Sequence, residues 1–131
     1  MSERIGTCSC EQLKITCEGE PLRVSVCHCF ACQRRSGAPF AAQARWPNEK
    51  VRTEGIAHEW KRISDEGSTA IFHFCPTCGA TLWYTVDSMP GVTAVPIGAF
   101  GDTTLPTPVY SVYEQRMHPW VRLADGIGHI D

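Results

Sequence analysis

Short runs of alternating apolar and polar residues recur along nearly the whole chain. Leu13, Ile15 and Cys17 alternate with Lys14 and Thr16, and Leu22, Val24 and Val26 alternate with Arg23, Ser25 and Cys27. A period of two marks a strand with one face buried. Further strands are expected over 39–46, 51–53, 59–63, 70–74, 81–86, 92–97 and 108–113. Turn residues separate them: Glu18-Gly19-Glu20-Pro21, Pro47-Asn48, Gly55, Asp65-Glu66-Gly67 and Met89-Pro90-Gly91. Residues 98–108 read as a Gly/Pro/Thr-rich loop. One short helical turn is expected at Gln33-Arg34-Arg35-Ser36, ended by Gly37. The tail from His118 reads as irregular. Many short strands with few helical signals predict a mostly β chain, a sandwich or folded sheet. Nothing resembles a linker, so residues 1–131 are expected to form a single domain.

The totals narrow the function classes. The chain has 131 residues and a formal charge of −2, which gives no electrostatic case for nucleic acid or an anionic membrane. No apolar run approaches membrane-spanning length. The start, Met1-Ser2-Glu3-Arg4-Ile5, lacks the apolar core of a signal peptide. A cytoplasmic or other reducing location is therefore expected. In such a compartment eight cysteines point to metal, the alternative being a secreted disulfide scaffold.

The cysteine spacing carries the chemistry. Cys27, Cys29 and Cys32 place three thiols in six residues. On an extended strand Cys27 and Cys29 share a face, and Cys29-Phe30-Ala31-Cys32 is a C-x-x-C suited to one metal. His28 would point the other way, a poor fourth ligand. Cys8 and Cys10 form a C-x-C, with both thiols on one face if the segment is extended. Cys75 and Cys78 form a knuckle whose Gly79 permits a close turn. Cys17 falls in register with Leu13 and Ile15, so it reads as a core residue. Seven thiols then remain, which divide as four plus three. Cys8, Cys10, Cys75 and Cys78 make a closed structural zinc site, and Cys27, Cys29 and Cys32 make a zinc site with an open position. The competing partition adds Cys17 to the second cluster and closes both sites. Arg34 and Arg35 follow the three-thiol cluster and suit either its charge or a substrate carboxylate; otherwise they are solvated surface groups. His58, His73, His118 and His129 are isolated and expected to be structural or exposed. Trp46, Trp60, Trp83 and Trp120 are expected in the core, with one of them able to wall a pocket.

Taken together, these motifs resemble the glutathione-dependent formaldehyde-activating enzyme family, which includes centromere-protein-V-like zinc proteins. The likeness rests on Gly6-Thr7-Cys8-Ser9-Cys10, on residues 27–37, on Phe74-Cys75-Pro76-Thr77-Cys78-Gly79-Ala80-Thr81-Leu82 and on Trp120-Val121-Arg122-Leu123-Ala124-Asp125-Gly126. Cys17 is outside the matched pattern. The resemblance implies stacked, twisted antiparallel sheets with zinc knuckles, built like a small zinc-binding exchange-factor chaperone. It implies two zinc ions per chain, structural at Cys8, Cys10, Cys75 and Cys78 and catalytic at Cys27, Cys29 and Cys32. The implied reaction is a carbon-sulfur lyase or synthase step joining a thiol such as glutathione to formaldehyde. An open zinc beside Arg34 and Arg35 suits that chemistry: coordination deprotonates a thiol, and the metal acts as Lewis acid and template. The alternative is a non-enzymatic zinc module that binds a protein partner, since no acid-base pair is placed by the sequence.

Overall fold

Alternation of buried and exposed positions produces eleven strands among the described residues. The computed structural model describes residues 2–130; Met1 and Asp131, the ends of the expected domain, lie outside them. In chain order the strands are β1 (Glu3–Thr7), β2 (Lys14–Glu18), β3 (Arg23–Cys27), β4 (Ala41–Pro47), β5 (Val51–Glu54), β6 (His58–Ile63), β7 (Thr69–Phe74), β8 (Thr81–Val86), β9 (Val92–Pro96), β10 (Tyr110–Val112) and β11 (Gly128–Ile130). A single α-helix, α1 (Phe30–Ser36), lies between β3 and β4. One sheet has the order β1-β2-β5, the other β11-β10-β3-β4-β9-β8-β7-β6. The domain is mostly β, as its patterning predicts. Every pairing is antiparallel except at one end of the larger sheet, where β10 runs parallel to both β3 and β11. No described helix is long and apolar enough to cross a membrane.

The core joins both sheets. Leu13, Ile15 and Cys17 of the smaller sheet and its approach pack with Val24, Ala44, Trp46, Leu82 and Val95 of the larger one. Full burial of each large aliphatic side chain is worth roughly 1.5–3 kcal/mol. Trp46 is fully buried and donates its indole N–H to the Gly19 carbonyl at 3.1 Å, so its polar atom costs nothing to bury. The remaining tryptophans depart from expectation. Trp83 is half-buried, while Trp60 and Trp120 are 52% and 67% exposed. Leu22 also departs: β3 begins one residue later and leaves it exposed.

Two other differences position the sites. The helix starts at Phe30 rather than at Gln33, because Cys29 caps it, its sulfur accepting the Cys32 N–H at 3.3 Å. Gly37 ends it in the left-handed conformation, as expected. The tail adds β11, whose partner β10 holds it through Val112 and Ile130. At the β5–β6 turn, a Cβ on Gly55 would fall 2.1 Å from the Gln12 carbonyl oxygen, and its φ is +104. Only glycine permits that close approach of two loops.

Candidate metal and substrate site

The first cysteine pair does not sit on an extended segment. β1 ends at Thr7, and a turn carries Cys8 and Cys10, closed by Glu11 N–H to the Cys8 carbonyl at 3.1 Å. The turn brings their sulfurs to 3.6 Å, and Cys10 stands 3.6 Å from Cys75. The second pair follows a β-bulge at His73/Phe74, which ends β7 just before the knuckle. The knuckle closes through Gly79 N–H to the Cys75 carbonyl at 2.8 Å, with Gly79 at φ +81. All four sulfurs lie within 4.8 Å of one another. Four sulfurs at the ordinary zinc–sulfur distance stand about 3.8 Å apart in a tetrahedron, so this cluster has the size of a metal site.

Donors converge on its sulfurs. Cys75 Sγ accepts from Gln12 Nε2 at 2.9 Å and from Thr77 N–H at 3.3 Å, and Cys8 Sγ accepts from Leu13 N–H at 3.4 Å. Burial raises the Cys75 pKa, but the Gln12 amide and the Cys78 and Thr77 backbone N–H groups outweigh it and hold the thiol down to about 5. Such donors stabilise a ligating thiolate whatever metal it holds.

The three-thiol cluster also forms, by a route other than a regular strand. β3 ends at Cys27, and Cys29 sits at the helix cap. Cys32 lies one turn into α1, and the three sulfurs fall within 4.8 Å of one another. His28 points away, as expected: it is fully buried and shares a 2.9 Å hydrogen bond with Ser111 Oγ. Cys29 is held down to about 2, first by the Cys27 thiol, then by the Cys32 thiol and N–H and by the Arg62 charge. Cys17 belongs to neither cluster. It is fully buried in the core, and burial pushes its thiol up to about 12. All eight cysteines are free of disulfides. Either cluster can hold a metal ion.

Cys29 opens onto a cleft of about 230 Å³ that it shares with Arg62, Asp65, Glu66, Tyr113 and Arg116. A neighbouring cleft of about 500 Å³ shares Arg62, Asp65 and Arg116 and adds Arg34, Arg35 and Trp60. Four guanidiniums thus face one carboxylate across the wider cleft. The expected pair divides in role. Arg34 is exposed, whereas Arg35 lies over the rings of Phe72 and Tyr84 at 4.9 and 5.1 Å. The aromatic row extends to Trp60, stacked on Phe72 at 5.6 Å, so one tryptophan does wall the cleft. Sequence reading missed Arg62 and Arg116. Alternation puts Arg62 on the Trp60 face of β6, but nothing in the sequence says which cavity that face lines. Tyr113, at φ +58, bends the chain toward Cys29 and donates its hydroxyl to Glu66 at 3.1 Å. Strain of this kind is common where a site is shaped. His58 and His129 are exposed, and His73 is half-buried against Trp83; none of these lines either cleft.

By contrast, the hollow beside Cys8, of about 450 Å³, is walled largely by small residues and carries Glu11 but no arginine.

Comparison with known proteins agrees with this organisation. A crystal structure of a Rhodobacter sphaeroides protein superposes with a TM-score of 0.60 at 24% identity, over 76% of this chain and 90% of that one. At that identity the likeness concerns the fold alone. No curated protein is significantly similar in sequence. The family model described as glutathione-dependent formaldehyde-activating enzyme matches residues 3–116, which include both thiol clusters and all four cleft arginines. The chain belongs to the glutathione-dependent formaldehyde-activating enzyme family.

Proposed function

We propose that the protein is a zinc-dependent carbon-sulfur lyase or synthase that adds an anionic thiol of the glutathione type to formaldehyde or a related small aldehyde. The observation that carries this reading is that Cys29 lines a cleft with Arg62 and Arg116, beside the wider cleft that adds Arg34 and Arg35. On this reading Cys8, Cys10, Cys75 and Cys78 hold a structural zinc. Cys27, Cys29 and Cys32 hold a second zinc that, when bound, supplies Lewis acidity to a thiol or carbonyl group.

The chain's own residues do the rest. Arg34, Arg35, Arg62 and Arg116 take the substrate's carboxylates, and a planar guanidinium favours a two-point grip. Asp65 stands where a substrate ammonium can pair. Charge from Arg62 favours thiolate at Cys29, whereas the Cys32 thiol is held above its ordinary value: the Cys27 thiol and the Arg35 charge lower it, but the Cys29 thiol and burial outweigh them. In the reaction the substrate sulfur's electron pair forms the S–C bond as the aldehyde C=O π bond breaks. The thiol proton ends on the new hydroxyl, carried by water, since Tyr84 is buried and its phenol is pushed up to about 12.

The test uses the protein with two zinc ions per chain. Loss of free formaldehyde in the presence of glutathione should exceed the spontaneous rate. No acceleration with any small thiol would remove the enzyme reading and leave the protein-binding module.

A further inference from the structure

Three hydrogen bonds converge on the side chain of Gln33. Its Nε2 donates to the His28 carbonyl at 2.7 Å and to the Arg116 carbonyl at 3.1 Å. Its Oε1 shares a 2.7 Å bond with His118 Nε2. The amide has two donor hydrogens and one acceptor oxygen, and all are engaged. Folding of α1 needs none of these bonds, because the Gln33 backbone already bonds to Cys29 and Gly37.

The partners give the bonds their meaning. His28 lies between Cys27 and Cys29 in the thiol loop. Arg116 lines both clefts. Its carbonyl is the last of the 3-10 turn Glu114–Arg116, which is closed by the Arg116 and Met117 N–H groups, and the last carbonyls of a helical turn lack internal partners. Among the described residues Arg116 forms no ion pair with a carboxylate. Its guanidinium instead rests over Phe30 at 5.4 Å and Tyr113 at 5.6 Å. Stacking tolerates sliding more than a fork of hydrogen bonds does. The place of the charge therefore depends on where its backbone is anchored, and Gln33 is that anchor.

We propose that Gln33 is the positioning residue of the cleft, setting the separation between the three-thiol cluster and the Arg116 guanidinium and so tuning capture of an anionic thiol. The capture step rests on the function proposed above; the anchoring does not. No other residue type fits the constellation. Glutamate would set a carboxylate oxygen against two carbonyls, lysine has no acceptor for His118, and asparagine is one methylene short.

Zinc-loaded wild type, Gln33→Met, Arg116→Gln and the double variant decide the matter. Three readouts are needed: zinc per chain, amide hydrogen exchange over residues 114–118, and glutathione affinity by calorimetry. Methionine keeps the length and removes both donors. Exchange over 114–118 should accelerate with zinc content unchanged, and the glutathione Kd should rise about ten-fold, the scale of one lost hydrogen bond. In the Arg116→Gln background the same change should raise Kd by less than about two-fold, because the charge it positions is gone. Unchanged exchange over 114–118, or full multiplication of the two effects, overturns the proposal. So does loss of zinc with unaltered affinity, which would assign Gln33 to the thiol loop instead. If Gln33→Met does not fold, His118→Leu removes the bond that orients the amide, and the same outcomes apply. Should wild type bind no glutathione, the functional reading fails, while exchange over 114–118 still decides the anchoring role.

Discussion

Gln12 Nε2 lies 2.9 Å from Cys75 Sγ and 2.7 Å from the Ile56 carbonyl, while its Oε1 accepts the Ile56 N–H at 2.9 Å. Each thiol cluster is thus fastened to a distant segment by one glutamine, Gln12 at the four-thiol cluster and Gln33 at the other. The difference lies in what the amide touches: Gln12 bonds a sulfur directly, Gln33 only backbone and His118. Gln12→Leu should destabilise the fold by about 1–3 kcal/mol, as expected for loss of a hydrogen bond to a charged acceptor. It should also speed zinc loss to a competing chelator, from one of the two ions. Wild-type melting with wild-type zinc retention would remove Gln12 from the ligand sphere's support.

The two clusters should separate fold from function. Cys8 and Cys75 are fully buried and 67 positions apart, 75 − 8, so a metal they share closes a long loop and its binding energy is folding energy. Cys75→Ala should unfold or aggregate with loss of zinc. Cys32→Ser should keep the circular dichroism of wild type, lower zinc from two toward one per chain and abolish any thiol-aldehyde rate. A Cys75→Ala protein with full metal content and normal melting would reverse the assignment.

Arg34 and Arg35 should behave differently when each is changed to glutamine. Arg34 is exposed, so Arg34→Gln should leave stability within about 0.5 kcal/mol and weaken an anionic thiol by about 1–3 kcal/mol. Arg35→Gln also removes a cation from over Phe72 and Tyr84, a contact worth about 0.5–2 kcal/mol. It should therefore lower Tm as well as affinity. Equal melting of the two variants would show that the ring contacts carry no energy.

Cys17 gives a pH signature distinct from both clusters. Burial raises its folded pKa to about 12, above the unfolded value of about 8.5. A raised pKa means its contribution is fully present below about pH 8.5 and is lost as pH rises toward 12. Thermal stability of wild type should fall more steeply across that window than that of Cys17→Ala. At neutral pH Cys17→Ala should keep both zincs at a cost of about 1 kcal/mol. A fall in zinc as large as that of Cys32→Ser would place Cys17 in the second cluster after all.

Much of this protein is determined by local pattern. The period-two runs over β2, β3, β7 and β8, the glycine that stops α1 and the grouping of seven thiols with Cys17 set aside all follow from residue type and spacing. Spacing works for Cys29 and Cys32, or Cys75 and Cys78, because a tight turn leaves few ways to point two sulfurs. What local pattern does not hold is which surfaces meet. Trp60 and Trp46 look alike as sequence, yet Trp46 lies on a strand covered by the second sheet while β6 is an outermost strand whose aromatic face is left open to the cleft. Arg62 and Arg116 are 54 positions apart, 116 − 62, and neither is marked by any motif. They come together because β10 runs parallel beside β3 and delivers Tyr113 and the following turn to the thiol loop. Strand pairing of that kind depends on burial summed over the whole chain, so the metal ligands are legible one motif at a time and the walls of the cleft only in the folded molecule.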